Sequence, residues 1–262
     1  MVDHAGPGEA NETSSQYHAY FQHILSKSRY STTGNKGLGA LEKATKVILD
    51  CDPGGDDAQA MVLAFHLAKL EGIQVLGVTT VAGNAILEEV VLNSQMILHA
   101  CKETEVPIYR GEEPRWKGKE LAEYFYGPDG FGNALHEYQK EHGPVVPTNI
   151  KEDESAVDFL IRITKEQPGQ ITIIGLAPLT NLAFALKKYP TFAQNVKNIV
   201  LLGGTYLSQG NTDYFCSEYN FFKDAEAAKV VFDSFTDITM VPIEACRSFR
   251  VMDPAKVSVP FT

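Results

Sequence analysis

Four aspartates fall within eight residues and are the side chains of this chain best placed to do chemistry. Asp50 and Asp52 close a continuous apolar run, Val47–Leu49, of the kind that forms a strand buried on both faces of a parallel sheet. A Pro-Gly-Gly sequence then ends the strand, and Asp56 and Asp57 open a segment whose apolar residues recur at helical spacing. The carboxylates are therefore predicted at the carboxyl end of a strand, where open α/β sheets bind ligands.

Carboxylates this close raise one another's pKa unless a cation or hydrogen-bond donors compensate. Helix capping explains Asp56 as an N-cap and Asp57 as a first-turn charge, but it accounts for neither Asp50 nor Asp52. A hard divalent cation explains more of the cluster. An oxygen-only ligand set without His or Cys fits Ca²⁺ or Mg²⁺ rather than zinc, and a flexible set of several carboxylates favours Ca²⁺.

The same cluster, Asp-Cys-Asp-Pro-Gly-Gly-Asp-Asp, resembles the N-terminal signature of the nucleoside hydrolases, the inosine-uridine-preferring nucleoside N-ribohydrolases. Further motifs resemble the family in the same order along the chain: Thr79-Thr80-Val-Ala-Gly-Asn84, Gly175-Leu-Ala-Pro-Leu-Thr-Asn181, Val200-Leu-Leu-Gly-Gly204, Glu218-Tyr-Asn220 with Asp224-Ala-Glu-Ala-Ala228, and Thr239-Met-Val241. The resemblance implies hydrolysis of the N-glycosidic bond of ribonucleosides to free base and ribose. It also implies a small-molecule nucleoside substrate and a homo-oligomer, either a dimer or a tetramer.

The resemblance further implies a role for each matching residue. Asp52, Asp57 and the main-chain carbonyl of Leu176 would hold Ca²⁺, and Asp52 would also act as the general base for the attacking water. A second set would bind the ribose: Asp56, Asn84, Asn211, Glu218 and Asn220. We expect Glu218 and Asn220 to stand two apart on an extended segment, so that both face one side.

Several of these residues also have simpler structural explanations. Asn84 follows a glycine and is equally consistent with a turn or a helix cap, and Asn211 is also an ordinary residue of a polar loop. Asn181 is interpreted as a cap or turn residue rather than a catalytic one. Asp224 is predicted to be the N-cap of a helix, with Glu226 in its first turn.

The sequence departs from the family where the leaving base would be activated. Many family members carry a late His-Asp pair, but no His follows His142, and nothing around Asp253 matches the family's pattern. We therefore expect the C-terminal part of the family's fold to be missing. Tyr126 replaces a family His, which removes a group that titrates near neutral pH. The alternative function is a catalytically impaired nucleoside- or ribose-binding remnant of the same fold. A haloacid-type phosphohydrolase also begins with Asp-x-Asp, but the following Pro-Gly disfavours it.

The rest of the chain must position these residues. Residues 1–44 are polar and are predicted to be a flexible extension, and residues 45–262 are predicted to be one α/β domain. After the first strand, strand-like runs at 73–79, 106–110, 170–174, 196–202 and 238–243 alternate with helix-patterned segments at 86–101, 153–166, 179–188 and 224–234. This alternation predicts a mostly parallel, Rossmann-like sheet flanked by helices.

The interval 112–150 does not fit the alternation, and a long insertion of this kind is commonly a lid. Three aromatic residues in loops are candidates for stacking on the base, although such residues more often serve packing: Tyr126, Phe131 and Tyr214.

Composition excludes several classes of partner. A formal charge of −10 disfavours binding to nucleic acid, and no apolar run approaches the ~18 residues that a membrane span needs. The first residues lack the basic and apolar regions of a signal peptide, so we predict a cytoplasmic location. The four cysteines show neither metal-site nor disulfide spacing and are predicted to be reduced thiols.

Overall fold

A seven-stranded parallel sheet carries the site. The computed structural model describes residues 45–114, 126–127, 129–144, 149–213 and 216–248. The strands are β1 (Thr45–Cys51), β2 (Ile73–Thr80), β3 (Ile108–Tyr109), β4 (Ile150–Lys151), β5 (Ile171–Gly175), β6 (Asn198–Leu202) and β7 (Ile238–Val241). Their order across the sheet is β4-β3-β2-β1-β5-β6-β7. Chain order therefore runs outwards from β1 on both sides and reverses between β1 and β5, the kind of crevice where open α/β sheets bind ligands.

The strand register brings separate loops to one edge of the sheet. β1 pairs with β2 up to Cys51↔Thr80. On its other side β1 pairs with β5 up to Asp50↔Gly175. All three strands are parallel and end at matching levels, so the residues that follow each of them leave the sheet side by side.

Helices connect the strands and begin and end where local chemistry predicts. They are α1 (Gly55–Glu71), α2 (Leu87–Cys101), α3 (Ala134–His142), α4 (Ala156–Glu166), α5 (Thr180–Lys188), α6 (Phe192–Asn195), α7 (Tyr219–Lys223), α8 (Ala225–Ser234) and α9 (Ile243–Ser248). Helix α1 ends at Gly72 in the left-handed conformation (φ 66°), where glycine carries no Cβ penalty. Ser155 caps α4 by accepting a hydrogen bond from the Asp158 N–H. None of the helices in these described ranges is long and apolar enough to cross a membrane.

Two apolar layers hold the sheet between the helices. On one face Leu49 packs in a cluster with Met61 of α1 and Ile97 of α2. On the other face the cluster combines Ile48 with Phe159 of α4 and other residues of α4, α5, α6 and α8. Adjacent residues of β1 thus serve opposite cores, as expected for a central strand covered on both faces. Burying each such side chain is worth roughly 1.5–3 kcal/mol, so β1 is a firm base for the residues that follow it.

The predicted fold class is confirmed, because the sheet is parallel in every recorded pairing and is flanked by helices. The predicted N-cap is also present, since the Asp224 carboxylate accepts a hydrogen bond from the Ala227 N–H at the start of α8. The interval 112–150 holds two elements that the sequence pattern did not predict, α3 and the edge strand β4. Residues 115–125, 128 and 145–148 of that interval lie outside the described ranges, as do residues 1–44, Tyr214 and Asp253.

Two of the stacking candidates can be placed. Phe131 is only 5% exposed and belongs to the core cluster on the α1 and α2 face, so its role is packing. Tyr126 lies over the start of α1, where a Cβ on Gly54 would stand 3.2 Å from its ring. Tyr126 is therefore beside the aspartate cluster, and its stacking on a base stays a prediction.

Candidate functional site

Asp52, Asp57 and Asn84 form the centre of the site at the carboxyl end of β1. The Asn84 N–H donates to Asp52 Oδ2 at 2.7 Å. The Asn84 side-chain amide donates to the Asp52 carbonyl at 3.1 Å and to Asp57 Oδ2 at 3.3 Å. The Gly54 N–H also donates to Asp57 Oδ2, at 3.3 Å. The turn after β2 therefore ties together two carboxylates from the end of β1 and the start of α1.

Gly83 makes this approach possible. A Cβ at this position would stand 1.9 Å from Asp52 Oδ2, which is closer than any two unbonded heavy atoms can come. Because residue 83 has no side chain, the backbone can approach the carboxylate and the next N–H can reach it. The glycine before Asn84 is a turn signal in the sequence, and in the structure it allows the backbone to contact the Asp52 carboxylate.

Asp50 lies deeper and is fully buried. Its Oδ1 accepts hydrogen bonds from the Thr79 hydroxyl at 2.6 Å and the Asn181 amide at 2.7 Å. Burial raises the pKa of Asp50 to about 6, although these two hydrogen bonds act in the opposite direction. The interpretation of Asn181 as a cap or turn residue missed this contact, which joins β1 to the first turn of α5 across 131 residues.

The buried carboxylates fit a hard cation. Burial, followed by the charge of Asp57, raises the pKa of Asp52, and burial with the charge of Asp56 raises the pKa of Asp57. One oxygen of each of three acids, Asp50 Oδ2, Asp52 Oδ1 and Asp57 Oδ1, is buried without a hydrogen-bond partner. Charged oxygens in that condition are costly unless a cation or further donors satisfy them.

The side chains are not arranged as a closed metal-ligand set: within the described ranges no three His, Cys, Asp or Glu side chains form one. The unpartnered oxygens still favour a cation, because a calcium shell is also built from main-chain carbonyls and water. Asp52, Asp57 and the Leu176 carbonyl thus remain the predicted ligand set.

Glu218 lies on the other side of the crevice and caps α7. Its Oε1 accepts from the Asn220 N–H, and its Oε2 accepts from the N–H groups of Gly204 and Phe221, at 2.9 to 3.1 Å. Burial raises the pKa of Glu218, against the effect of these three hydrogen bonds. The expectation that Glu218 and Asn220 share an extended segment was wrong. Glu218 is the extended N-cap and Asn220 lies in the helix, because the Glu218 carboxylate satisfies the first free N–H groups of α7.

Asn220 and Asn211 complete this side. The Asn220 amide donates to the Leu176 carbonyl at 2.8 Å and to the Leu202 carbonyl at 3.1 Å, and so holds the ends of β5 and β6 together. Asn211, exposed in the loop after β6, accepts from the Tyr219 N–H at 2.8 Å. The Leu176 carbonyl keeps a second lone pair for another partner.

The two sides meet across the crevice. The Tyr219 hydroxyl donates to the Gly83 carbonyl at 2.7 Å. Burial and the nearby charges of Asp52 and Glu218 raise the pKa of Tyr219. Asp56 is exposed in the first turn of α1, and its charge contributes to the raised pKa of Glu218. The predicted metal residues and the predicted ribose residues therefore lie at one site, although Tyr219 was not among the predicted site residues.

Comparison with known proteins places this chain in a family. The family model described as inosine-uridine preferring nucleoside hydrolase matches residues 47–259. The chain belongs to the inosine-uridine preferring nucleoside hydrolase family. Among other members, it is 37% identical over 215 residues to uridine nucleosidase 1 of Arabidopsis thaliana, an alignment covering 81% of this chain and 60% of that protein. It is 36% identical to the pyrimidine-specific ribonucleoside hydrolase RihB of Escherichia coli, over 76% of this chain and 59% of RihB.

Solved nucleoside hydrolases share the fold. The plant nucleoside hydrolase PpNRh1 superposes with a TM-score of 0.64 at 35% identity, over 76% of this chain and 60% of that one. A purine-preferring ribonucleoside hydrolase from Gardnerella vaginalis gives the same TM-score at 29% identity, over 76% and 61%. The chain thus spans about 60% of the length of the relatives it matches.

Proposed function

We propose that this chain hydrolyses the N-glycosidic bond of ribonucleosides and releases the free base and ribose. One structural observation supports the proposal in addition to family membership. Asp52 and Asp57 are buried, have unpartnered carboxylate oxygens and lie at the strand-order reversal. Across the crevice lies the carboxylate of Glu218, the N-cap of α7. This geometry supplies acids from both sides of the strand-order reversal, and their oxygens can accept hydrogen bonds from the hydroxyls of a sugar.

We further propose Ca²⁺ as the metal. Asp52, Asp57 and the Leu176 carbonyl would hold it, since all three offer oxygen and Asp52 and Asp57 each keep an unpartnered one. When bound, such an ion lowers the pKa of a coordinated water. Asp52 would accept the proton of the attacking water, because its Oδ1 is unpartnered whereas Oδ2 is held by the Asn84 N–H.

The ribose would be held from both sides. Asp56 and Asn84 would bind hydroxyls beside the metal residues, and Glu218, Asn220 and Asn211 would bind the sugar from across the crevice. Positive charge develops at the anomeric carbon as the base departs, and anionic side chains around the ribose favour that transition state. Glu218 contributes its charge without moving, because three backbone N–H groups fix both of its oxygens.

Ribose release is the direct test. The chain is incubated with uridine and with inosine, with and without Ca²⁺, and free ribose is measured. We expect calcium-dependent release that Asp52→Ala abolishes and that Asp233→Ala, an exposed acid on α8, leaves unchanged. A folded chain that releases no ribose from either nucleoside, yet is stabilised by them, would be a binding protein and the proposal would be wrong. The cytoplasmic location and the dimeric or tetrameric state stay predictions.

A further inference from the structure

The short helix α9 holds the loop that follows β6. The Glu244 carboxylate accepts hydrogen bonds from the Thr205 hydroxyl and from the N–H groups of Tyr206 and Leu207, the last at 2.9 Å. These three donors are consecutive residues at the start of the loop 205–210. Although burial alone would raise the pKa of Glu244, the hydrogen bonds lower it to about 2. The carboxylate is therefore charged at neutral pH, and its hydrogen bonds hold the start of the loop in place.

Arg247, one turn further along α9, holds the other end of the same loop. Its guanidinium donates to the Gln209 carbonyl and to the Gly210 carbonyl, both at 2.8 Å. A planar guanidinium with several fixed donors suits two adjacent carbonyls, and the single ammonium of a lysine cannot reproduce that geometry. Helix α9 therefore binds both ends of the loop 205–210, one end through the Glu244 carboxylate and the other through the Arg247 guanidinium.

The loop leads directly into Asn211. The Asn211 N–H donates to the Ser217 carbonyl at 3.0 Å, and its side-chain oxygen accepts from the Tyr219 N–H beside Glu218. Gly210 packs so closely that a Cβ there would stand 1.9 Å from the Ser217 carbonyl oxygen. No hydrogen bond donated by the Asn211 amide nitrogen is recorded within the described ranges, so its two donors are available to a ligand.

We propose that Glu244 and Arg247 form a clamp that fixes the loop 205–210 and thereby positions Asn211 to donate hydrogen bonds to the ribose. The inference rests on the proposed function for its ligand, a ribonucleoside, and on the contacts above for its mechanism. Glu244 and Arg247 are positioning residues, since they act on the sugar through Asn211. The clamp belongs to the ribose side of the site and leaves the residues proposed to hold the metal untouched.

A double-mutant cycle tests the clamp. Arg247→Met, Asn211→Ala and the double variant are compared with the wild-type chain for uridine and inosine binding by calorimetry and for KM and kcat. We expect Arg247→Met to weaken nucleoside binding by about tenfold, and to add little once Asn211 is already Ala, because both changes remove one interaction. Calcium affinity without nucleoside should be unchanged. Arg162→Met on α4, which removes an exposed arginine paired with Glu154, is the matched control and should alter neither.

Hydrogen exchange of the amides of residues 205–211 gives a readout that needs no activity. Exchange should accelerate in Arg247→Met and recover only partly in Arg247→Lys. Unchanged exchange, or fully additive losses in the cycle, would overturn the clamp. Faster exchange with unchanged nucleoside affinity would overturn its role in binding. If the wild-type chain binds and cleaves no nucleoside, the proposed function fails and the ribose part of the clamp fails with it, while exchange still decides whether the clamp orders the loop.

Discussion

The Tyr219 hydroxyl donates a 2.7 Å hydrogen bond to the Gly83 carbonyl and so joins the two sides of the site. Gly83 precedes Asn84, which binds both Asp52 and Asp57, and Tyr219 stands between Glu218 and Asn220. The hydrogen bond therefore fixes the distance between the proposed metal residues and the proposed ribose residues.

Removing that hydroxyl should loosen the turn that holds the carboxylates. Tyr219→Phe leaves a buried carbonyl without its donor, which costs about 1 kcal/mol, and we expect calcium to bind about fivefold more weakly. Calorimetric titration with Ca²⁺ measures this. Tyr206→Phe, in a side chain that is 65% exposed, is the control and should bind calcium as the wild-type chain does. Equal affinities for all three proteins would contradict the proposed coupling.

Calcium should stabilise the folded chain through Asp57. At about 100 times its Kd, a ligand that binds only the folded state adds about 2.7 kcal/mol. In a domain of this size that corresponds to a rise in Tm of roughly 5–10 °C. Thermal melts with Ca²⁺ and with a chelator measure the rise.

Asp57→Asn should abolish the calcium-dependent rise while keeping the shape of the side chain. Asp233→Asn, at an exposed position paired with Lys229, should keep it. A calcium response that survives in Asp57→Asn would exclude Asp57 from the ligand set.

Glu244 should give the stability of the chain a specific dependence on pH. Its pKa falls from an ordinary value of 4.5 to about 2 in the folded protein. A lowered carboxylate pKa contributes stability that is fully present above the unfolded value and is lost as the pH falls towards the folded value. The difference in Tm between the wild-type chain and Glu244→Gln should therefore be constant above about pH 5 and shrink below it. Melts between pH 3 and pH 7 test this, and a constant difference throughout would refute it.

Phe192 should be among the costliest core positions. The side chain is fully buried and meets Phe235 edge to face, with ring centroids 6.0 Å apart. Phe192→Ala should lower the free energy of unfolding by about 3–5 kcal/mol, because it leaves a cavity in the layer beneath α6 and α8. Leu63→Ala, at a position that is 57% exposed, should change it by less than about 0.5 kcal/mol. Urea denaturation compares the two, and similar losses would contradict a core role for Phe192.

Local sequence patterns were sufficient for the central strands and for the aspartate cluster. Val47–Leu49 is apolar without alternation, and only a strand covered on both faces requires that pattern. The same patterns could not separate an extended segment from a capped helix at Glu218, since the decisive hydrogen bonds come from backbone groups of its own first turn and of Gly204. The strand-like run predicted at 106–110 contains β3, but β4 has only two residues, which is too few for any periodicity to reveal.

Contacts between distant parts of the chain escaped sequence reasoning altogether. Asn181 reaches Asp50 across 131 residues, and Tyr219 reaches Gly83 across 136. Neither residue type is distinctive in a loop or a first helical turn, so only the strand order brings them to the carboxylates. Arg247 is a similar case, because nothing in its own segment indicates that it binds the carbonyls of Gln209 and Gly210.

The strand order also affects the order in which the parts of the site can come together during folding. β1 and β2 are neighbours in both sequence and space, so the aspartates and Asn84 are brought together by a short closure. Glu218 and Asn220 lie much later in the chain and reach the aspartates only through the pairing of β5 with β1, in which Lys46 lies opposite Ile171. Closing so long a loop is slow relative to local pairing. During synthesis the aspartates therefore leave the ribosome well before Glu218 and Asn220 do, and the site proposed to bind a ribonucleoside forms only after residue 220 has folded into place.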